Sequence, residues 1–203
     1  MNIFLLGGTG KTGRLFLTMA LENGHNVTAY VRSPEKMTAV ENLTVVEGDM
    51  QSVEEMSRAM KNHDVVVSCL GGNDNDKTTV ITDLTKVIIG SMQESGIEKI
   101  IAISSAGIHK EFSMVTNLIV SLFYKHVLND HILAAQCIMT SGLSYTLARP
   151  LSLKDGELTK TYRMTQEGVP KGGKDLSRHD LAHFLLNEVE QGNHHNQTVG
   201  LAY

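Results

Sequence analysis

The chain has 203 residues but only two cysteines, Cys69 and Cys137, which are far apart and without Cys-x-x-Cys spacing. That excludes a disulfide scaffold and points to a reducing compartment, the cytoplasm. It has no block of basic residues and a net charge of −4, which argues against nucleic acid as a main partner. It has no long hydrophobic run. The longest apolar stretch, Met114 to Tyr124, is broken by Thr116, Asn117 and Ser121 and is too short to span a bilayer, so no membrane partner is expected. No basic leader precedes the first apolar run, so no signal peptide is expected. Repeats, low-complexity segments and linkers are also missing. One domain over residues 1–203 is therefore expected. With 41% hydrophobic and 20% charged residues, it is a soluble globular chain able to bury a core.

What is present begins at residue 1. The segment MNIFLLGGTGKTG runs from an apolar stretch, Ile3 to Leu6, into glycines at 7, 10 and 13, and Arg14 to Leu21 then reads as helix. A strand, a tight turn and a helix start form the phosphate cradle of a dinucleotide-binding fold. Gly7 would let the strand turn, Gly10 would let the backbone approach a pyrophosphate, and Gly13 would let the helix pack close to the sheet. The helix N-terminus offers N–H groups and partial positive charge to phosphates. Gly10-Lys11-Thr12 also looks like the end of a triphosphatase P-loop. That motif needs glycine or alanine at position 5, where this chain has Leu5.

Strand-like and helix-like segments alternate to the end of the chain. Strands are expected at 3–6, 27–31, 44–47, 65–70, 99–104 and 144–148, with further short ones at 161–165 and 198–201. Helices are expected at 11–23, 34–40, 53–61, 79–95, within 112–141, and at 178–189. Repeated βα units imply a parallel sheet with right-handed crossovers. The expected fold is an α/β Rossmann domain with sheet order 3-2-1-4-5-6, helices on both faces and a small C-terminal substrate region. Residues of about 105–130 and 149–176 would form the substrate pocket. Ligands in such sheets bind beyond the carboxyl ends of the strands.

The residues falling there are therefore the candidates. Thr9 and Thr12 can donate hydroxyl bonds to phosphate, and Lys11 adds charge or is a solvated helix-start lysine. Arg32 and Ser33 follow the second strand, where an acid would favour NAD; guanidinium and hydroxyl suit a ribose 2′-phosphate instead. Asp49 can accept from an adenine amino group with Met50 covering the ring, and Asp49 also suits a turn or helix cap. Leu70, Gly71 and Gly72 follow the fourth strand, where two glycines permit close approach to ribose or nicotinamide. Ser104 and Ser105 follow the fifth, and Ser105 is the candidate for orienting substrate or carboxamide. Arg149, Pro150 and Leu151 follow the sixth and should line the far side of the nicotinamide pocket, with His109, Phe112 and Met114 above it.

One expected element is missing. Ketone-reducing short-chain dehydrogenases use a Tyr-x-x-x-Lys pair. The residues four after Tyr30, Tyr124, Tyr145 and Tyr162 are Pro34, Leu128, Arg149 and Gln166, and Tyr203 is the last residue. Hydride transfer would then rest on positioning of cofactor and substrate. His179 and His183 share a helix spacing, but the motif is His-Asp-Leu-Ala-His and no third ligand is evident. Ser177 and Asp180 read instead as a capping box, and no metal is expected.

Gly7-x-Thr9-Gly10-x-Thr12-Gly13, Val31-Arg32, Gly48-Asp49, Leu70-Gly71, Ser104-Ser105, Asp130-His131, Ser144-Tyr145 and Ser177 to Phe184 together resemble the atypical short-chain dehydrogenase group with NmrA-like, NAD(P)H-binding members. Within that group the pattern is most similar to the biliverdin reductase B (NADPH flavin reductase) type. The resemblance implies NADPH contacts at Gly7, Thr9, Gly10, Lys11, Thr12, Arg32, Asp49, Met50, Leu70 and Gly71, and a substrate-facing role for Ser105. Where that type has histidine after the late-strand proline, this chain has Leu151. The segment between Ala106 and Asp130 also differs, so the cofactor carries over more directly than flavin or biliverdin.

The leading expectation is an NADP(H)-dependent oxidoreductase, a monomer or weak homodimer, acting on a flat electron-poor acceptor that is flavin- or quinone-like. Such acceptors take hydride without a tyrosine acid. The alternative is a non-catalytic NADP(H)-binding redox sensor of the NmrA-like kind. An epimerase acting on a nucleotide sugar is disfavoured, because it needs the same tyrosine and more C-terminal chain.

Overall fold

Ile3, Phe4, Leu5 and Leu6 are all fully buried, and alternate residues serve opposite faces. Ile3 and Leu5 join one hydrophobic cluster, Phe4 and Leu6 the other. Val65 and Val67 against Val66 repeat the pattern. Strands that are apolar on both faces need helices on both faces, and each large side chain so buried contributes about 1.5–3 kcal/mol.

The computed structural model describes residues 1–71, 79–109 and 125–203. Its elements are β1 (Asn2–Leu6), α1 (Lys11–Glu22), β2 (Asn26–Val31), β3 (Leu43–Glu47), α2 (Val53–Met60), β4 (Val65–Ser68), α3 (Val80–Ser95), β5 (Lys99–Ile103), α4 (Lys125–Met139), β6 (Ser144–Pro150), β7 (Ser152–Lys154), β8 (Arg163–Thr165), β9 (Asp175–Ser177), α5 (Arg178–Glu190) and β10 (Gln197–Ala202). The main sheet has the order β3-β2-β1-β4-β5-β6-β10-β8. All its neighbours pair in parallel except β8, which runs antiparallel to β10. The expected 3-2-1-4-5-6 order is present and is extended by two strands. α1 and α5 pack together on one face; α2, α3 and α4 lie side by side on the other.

Several boundaries differ from the sequence reading. The helix expected over 34–40 is a single 3-10 turn, Pro34–Lys36. Beyond it, Asn42 takes a positive φ of 62° and the chain turns into β3. β4 ends at Ser68, so Cys69 and Leu70 belong to the loop at the sheet's carboxyl edge. β7 and β9 were not expected; they pair with each other in a separate two-stranded sheet. Ser177 does cap α5, its hydroxyl accepting from the Asp180 N–H at 3.0 Å. The Asp180 carboxylate, however, turns away from the cap to accept from Thr159 and Lys160 N–H groups, the Thr159 hydroxyl and the Tyr203 hydroxyl. Phe112, Met114, the apolar stretch to Tyr124 and Gly72 lie outside the described residues.

Candidate functional site

The glycine turn is built by close backbone contact. Gly7 has φ +77°, and a side chain there would sit 2.7 Å from the Cys69 backbone carbon and oxygen. The Gly10 N–H donates to the Gly7 carbonyl at 3.0 Å, closing the turn. A Cβ on Gly13 would collide with the same Gly7 carbonyl oxygen. The third glycine therefore packs helix against turn, closer in than the sheet. Gly10 is the N-cap of α1, with no side-chain cap and no acid in the helix's first turn. The helix start thus carries uncompensated N–H groups and partial positive charge.

This helix start opens into a cleft of about 800 Å³, within the range of small-molecule sites. Gly10, Lys11 and Thr12 form one wall; Leu70 and Gly71 continue it; Ser104 and Ser105 lie at its floor; Pro150 and Leu151 close the far side. A Cβ added at Gly71 would meet nothing within 4 Å among the described residues, which leaves room there for a ligand to approach the backbone. The Ser105 hydroxyl donates to the Ala106 carbonyl at 3.0 Å, whereas the buried Ser104 hydroxyl has no partner. At the mouth, Lys11 Nζ and Arg178 Nη1 donate to the two carboxylate oxygens of Asp155, at 3.1 and 2.7 Å.

The remaining candidates gather at the ends of β2 and β3, beside β1. Arg32 is exposed and makes no hydrogen bond or ion pair with any described residue. Arg14 donates to the Thr9 carbonyl and, at 3.1 Å, to the Lys36 carbonyl, tying the glycine turn to the loop that carries Arg32 and Ser33. Asp49 is exposed and its Oδ1 accepts from the Gln51 N–H at 2.8 Å, a turn role. The helix cap that follows is Ser52. Met50 is buried with Tyr30 and Phe4 in the core. Gly48 is required by Tyr30, whose ring would collide with any side chain there and whose hydroxyl donates to the Asp49 carbonyl.

One expectation is corrected. Arg149 does not line the pocket; it is fully buried inside β6 and donates to the Gln166 carbonyl. His109 is exposed, its Nε2 2.9 Å from the Thr198 hydroxyl. His179 donates to the Gly156 carbonyl, and His183 lies 3.0 Å from the Tyr162 hydroxyl, so the two face different partners. Among the described residues no three histidine, cysteine or acidic side chains gather as a metal site.

Sequence reasoning singled out neither His131 nor Arg178, which also line the cleft; Val127 and Leu153, which line it too, fall within the stretches expected to form the substrate pocket. Arg178 carried a signal, because it opens the helix after a Ser cap. His131 carried none beyond its place after Asp130. Asp130 is buried and accepts from the Ile81 and Thr82 N–H groups, both at 2.9 Å, capping α3 from α4. That contact fixes α4 and brings His131 to the cleft floor. Burial lowers the His131 pKa, against the opposing pull of the Asp130 charge, which favours the neutral imidazole.

An uncapped helix N-terminus on a glycine turn, beside two cations and an open cleft, fits a nicotinamide dinucleotide. Comparisons with known proteins agree. The chain is 25% identical to the uncharacterized protein YwnB of Bacillus subtilis, with 97% of this chain and 96% of that one aligned. It is 25% identical to the chloroplast divinyl chlorophyllide a 8-vinyl-reductase of Arabidopsis thaliana, but spans only 52% of that protein's length. Among solved structures, a short-chain dehydrogenase/reductase of Veillonella parvula in complex with NADP superimposes with a TM-score of 0.86 at 20% identity, covering 100% of this chain and 94% of that one. The anaerobilin reductase ChuY of Escherichia coli O157:H7 gives 0.83 at 21%, covering 100% and 97%. A Streptococcus pneumoniae protein described as an NADH-flavin reductase gives 0.80 at 20%, covering 100% and 99%. At these identities the solved structures speak for the fold. The family described as NAD(P)H-binding matches residues 7–191, and the chain belongs to it.

Proposed function

We propose that the protein is an NADPH-dependent reductase that delivers hydride to a flat, electron-poor acceptor of the flavin or quinone class. One observation carries the reading: the α1 N-terminus and the Ser104–Ser105 floor share one open cleft, with no Tyr-x-x-x-Lys acid in the sequence. A dinucleotide laid from the glycine turn toward Gly71 would bring its nicotinamide end to the serines. Leu70, Pro150 and Leu151 offer apolar surface on which a flat ring can stack. Acceptors that stabilise a negative charge after hydride addition do not need a strong acid in the site. The nicotinamide group supplies the hydride; the chain binds, orients and excludes water.

The preference for the phosphorylated cofactor rests on Arg32, an exposed guanidinium at the end of β2 with no hydrogen bond or ion pair among the described residues. Ser33 beside it can add a hydroxyl, and the Thr9 and Thr12 hydroxyls can meet the pyrophosphate. Two structural neighbours are named for bilin and flavin reduction, which is compatible with a planar conjugated acceptor. Both cysteines are free, compatible with a cytoplasmic setting.

The test is NADPH consumption by the purified protein with FMN or riboflavin, against NADPH alone. Saturable, acceptor-dependent consumption is expected. Tight NADPH binding without turnover on flavins or quinones would overturn the reductase reading in favour of a cofactor-sensing protein.

A further inference from the structure

Beneath the cleft lies a second, smaller cavity of about 20 Å³, large enough for one water. Four polar side chains reach it from four elements of the fold: Ser68 from the end of β4, Thr85 from α3, Ser104 beyond β5 and His131 from α4. Each is more than nine-tenths buried, with exposures of 7%, 6%, 7% and 8%. Of the four, the Ser104 hydroxyl is buried without a hydrogen-bond partner. The rest of the lining is apolar, from Leu70, Ile88, Ile100 and Leu147 among others. Buried hydroxyls are nearly always paired, so one left without a protein partner points to a small polar guest. Four polar side chains around a water-sized space, one of them an unpaired buried hydroxyl, make a built polar site. Ser104 and His131 belong to the walls of both cavities, so they connect this annex to the cleft above.

We propose that the annex holds one ordered water bridging His131 and Ser104, and that this bridge hands the acceptor the proton that accompanies its reduction. The proton role rests on the reductase reading above; the water bridge does not. Hydride transfer breaks the C4–H bond of the dihydronicotinamide and gives the acceptor two electrons and one proton. The flavin or quinone, left with one negative charge, takes one further proton to complete its two-electron reduction. That proton leaves the Ser104 hydroxyl, which takes one from the bridging water. The water takes the N–H proton of His131, and the imidazole regains one from solvent in the cleft. A neutral imidazole suits this shuttle, because it has one N–H to give and one lone pair to receive. Asp130, next to it on α4, is the charged group beside it; the residues that β4, α3, β5 and β6 present to the cavity are uncharged. His131 thus acts through Ser104, as a positioning and relay residue.

The test combines two readouts. In single-turnover acceptor reduction, His131→Gln should lower the rate at least about tenfold while NADPH affinity stays within about twofold, since an amide holds the hydrogen bond but passes no proton. His131→Ala should be slowed likewise and recover with added free imidazole. Wild-type rates in both variants, or a loss confined to NADPH affinity, would overturn the proton role. Independently of activity, the imidazole 15N resonances of His131 should shift in Ser104→Ala. Unchanged resonances would overturn the bridge. If the wild-type protein reduces no acceptor while those resonances respond, the reductase reading and the proton role fall together and the water bridge stands.

Discussion

Lys11 and Asp155 meet across the mouth of the cleft, with Lys11 Nζ 3.1 Å from Asp155 Oδ2. Asp155 also receives Arg178. Its carboxyl is held below the usual carboxylate range, chiefly by the Lys11 hydrogen bond and charge; desolvation opposes this, and Arg178 adds to the lowering. One carboxylate therefore occupies two cations on the rim of a site suited to phosphates. Asp155→Asn should tighten NADPH binding severalfold at low ionic strength. The gain should shrink as salt is added, because the groups are exposed and screened. A fluorescence titration with NADPH at two salt concentrations decides it; unchanged affinity in low salt would show that the cofactor does not meet these cations.

Arg32 separates the two nicotinamide cofactors. Arg32→Ala should weaken NADPH binding by about 1–3 kcal/mol, the loss of a charged hydrogen bond, and leave NADH nearly untouched. Equal losses for both in parallel titrations would remove Arg32 from 2′-phosphate recognition.

Two glycines of the turn should fail in different ways. A Cβ at Gly13 strikes the Gly7 carbonyl, backbone against backbone, with no side chain able to yield. Gly13→Ala should cost about 3 kcal/mol of stability or more, seen as a lowered Tm. At Gly10 the nearest atom to a Cβ is that same carbonyl at 3.2 Å, a contact that a small shift relieves. Gly10→Ala should fold with a Tm close to wild type yet bind NADPH weakly.

Asp180 ties the loop at 159–160 and Tyr203 to the start of α5. Burial alone would raise its carboxyl pKa; the hydrogen bonds from Tyr203 and Thr159, then the Lys160 and Thr159 N–H groups, outweigh burial and lower it. Depression below the unfolded value of 3.8 means its stabilisation is fully present above that pH and is lost as pH falls further, through the folded value. Asp180→Ala removes the acceptor of two backbone N–H groups on exposed residues and should cost about 1–3 kcal/mol at pH 7. The difference from wild type should narrow in strong acid, as urea unfolding at several pH values would show.

The sequence made the sheet legible where strands are buried on both faces. Ile3–Leu6 and Val65–Val67 carry nothing but apolar side chains, and only a sandwiched strand explains that. β7 and β9 escaped notice because Ser152–Lys154 and Asp175–Ser177 are three residues each and mix polar with apolar. Their pairing is set by chain segments some twenty residues apart, which no local pattern records. At the site, the glycine turn and the serines were readable because their positions follow from strand ends. His131 was not, because a histidine on an amphipathic helix looks the same whether it packs in a core or reaches a cleft. Asp180 was misread for a related reason: its spacing from Ser177 fits a capping box, but Thr159, Lys160 and Tyr203 outcompete the cap for its carboxylate.

The position of β1 has a consequence for how the chain reaches this state. The first strand in sequence is interior to the sheet, with Ile3 paired to Val27 on one side and to Val65 on the other. Its neighbours are drawn from residues separated by some sixty positions, and the Gly7 turn leans on the Cys69 backbone. The turn that would cradle the cofactor therefore precedes in sequence the β4 segment it leans on, and it cannot be completed until that segment is in place. Non-local parallel pairing of this kind folds slowly. Gain of NADPH binding during refolding should then track assembly of the central sheet, not the earlier formation of α1.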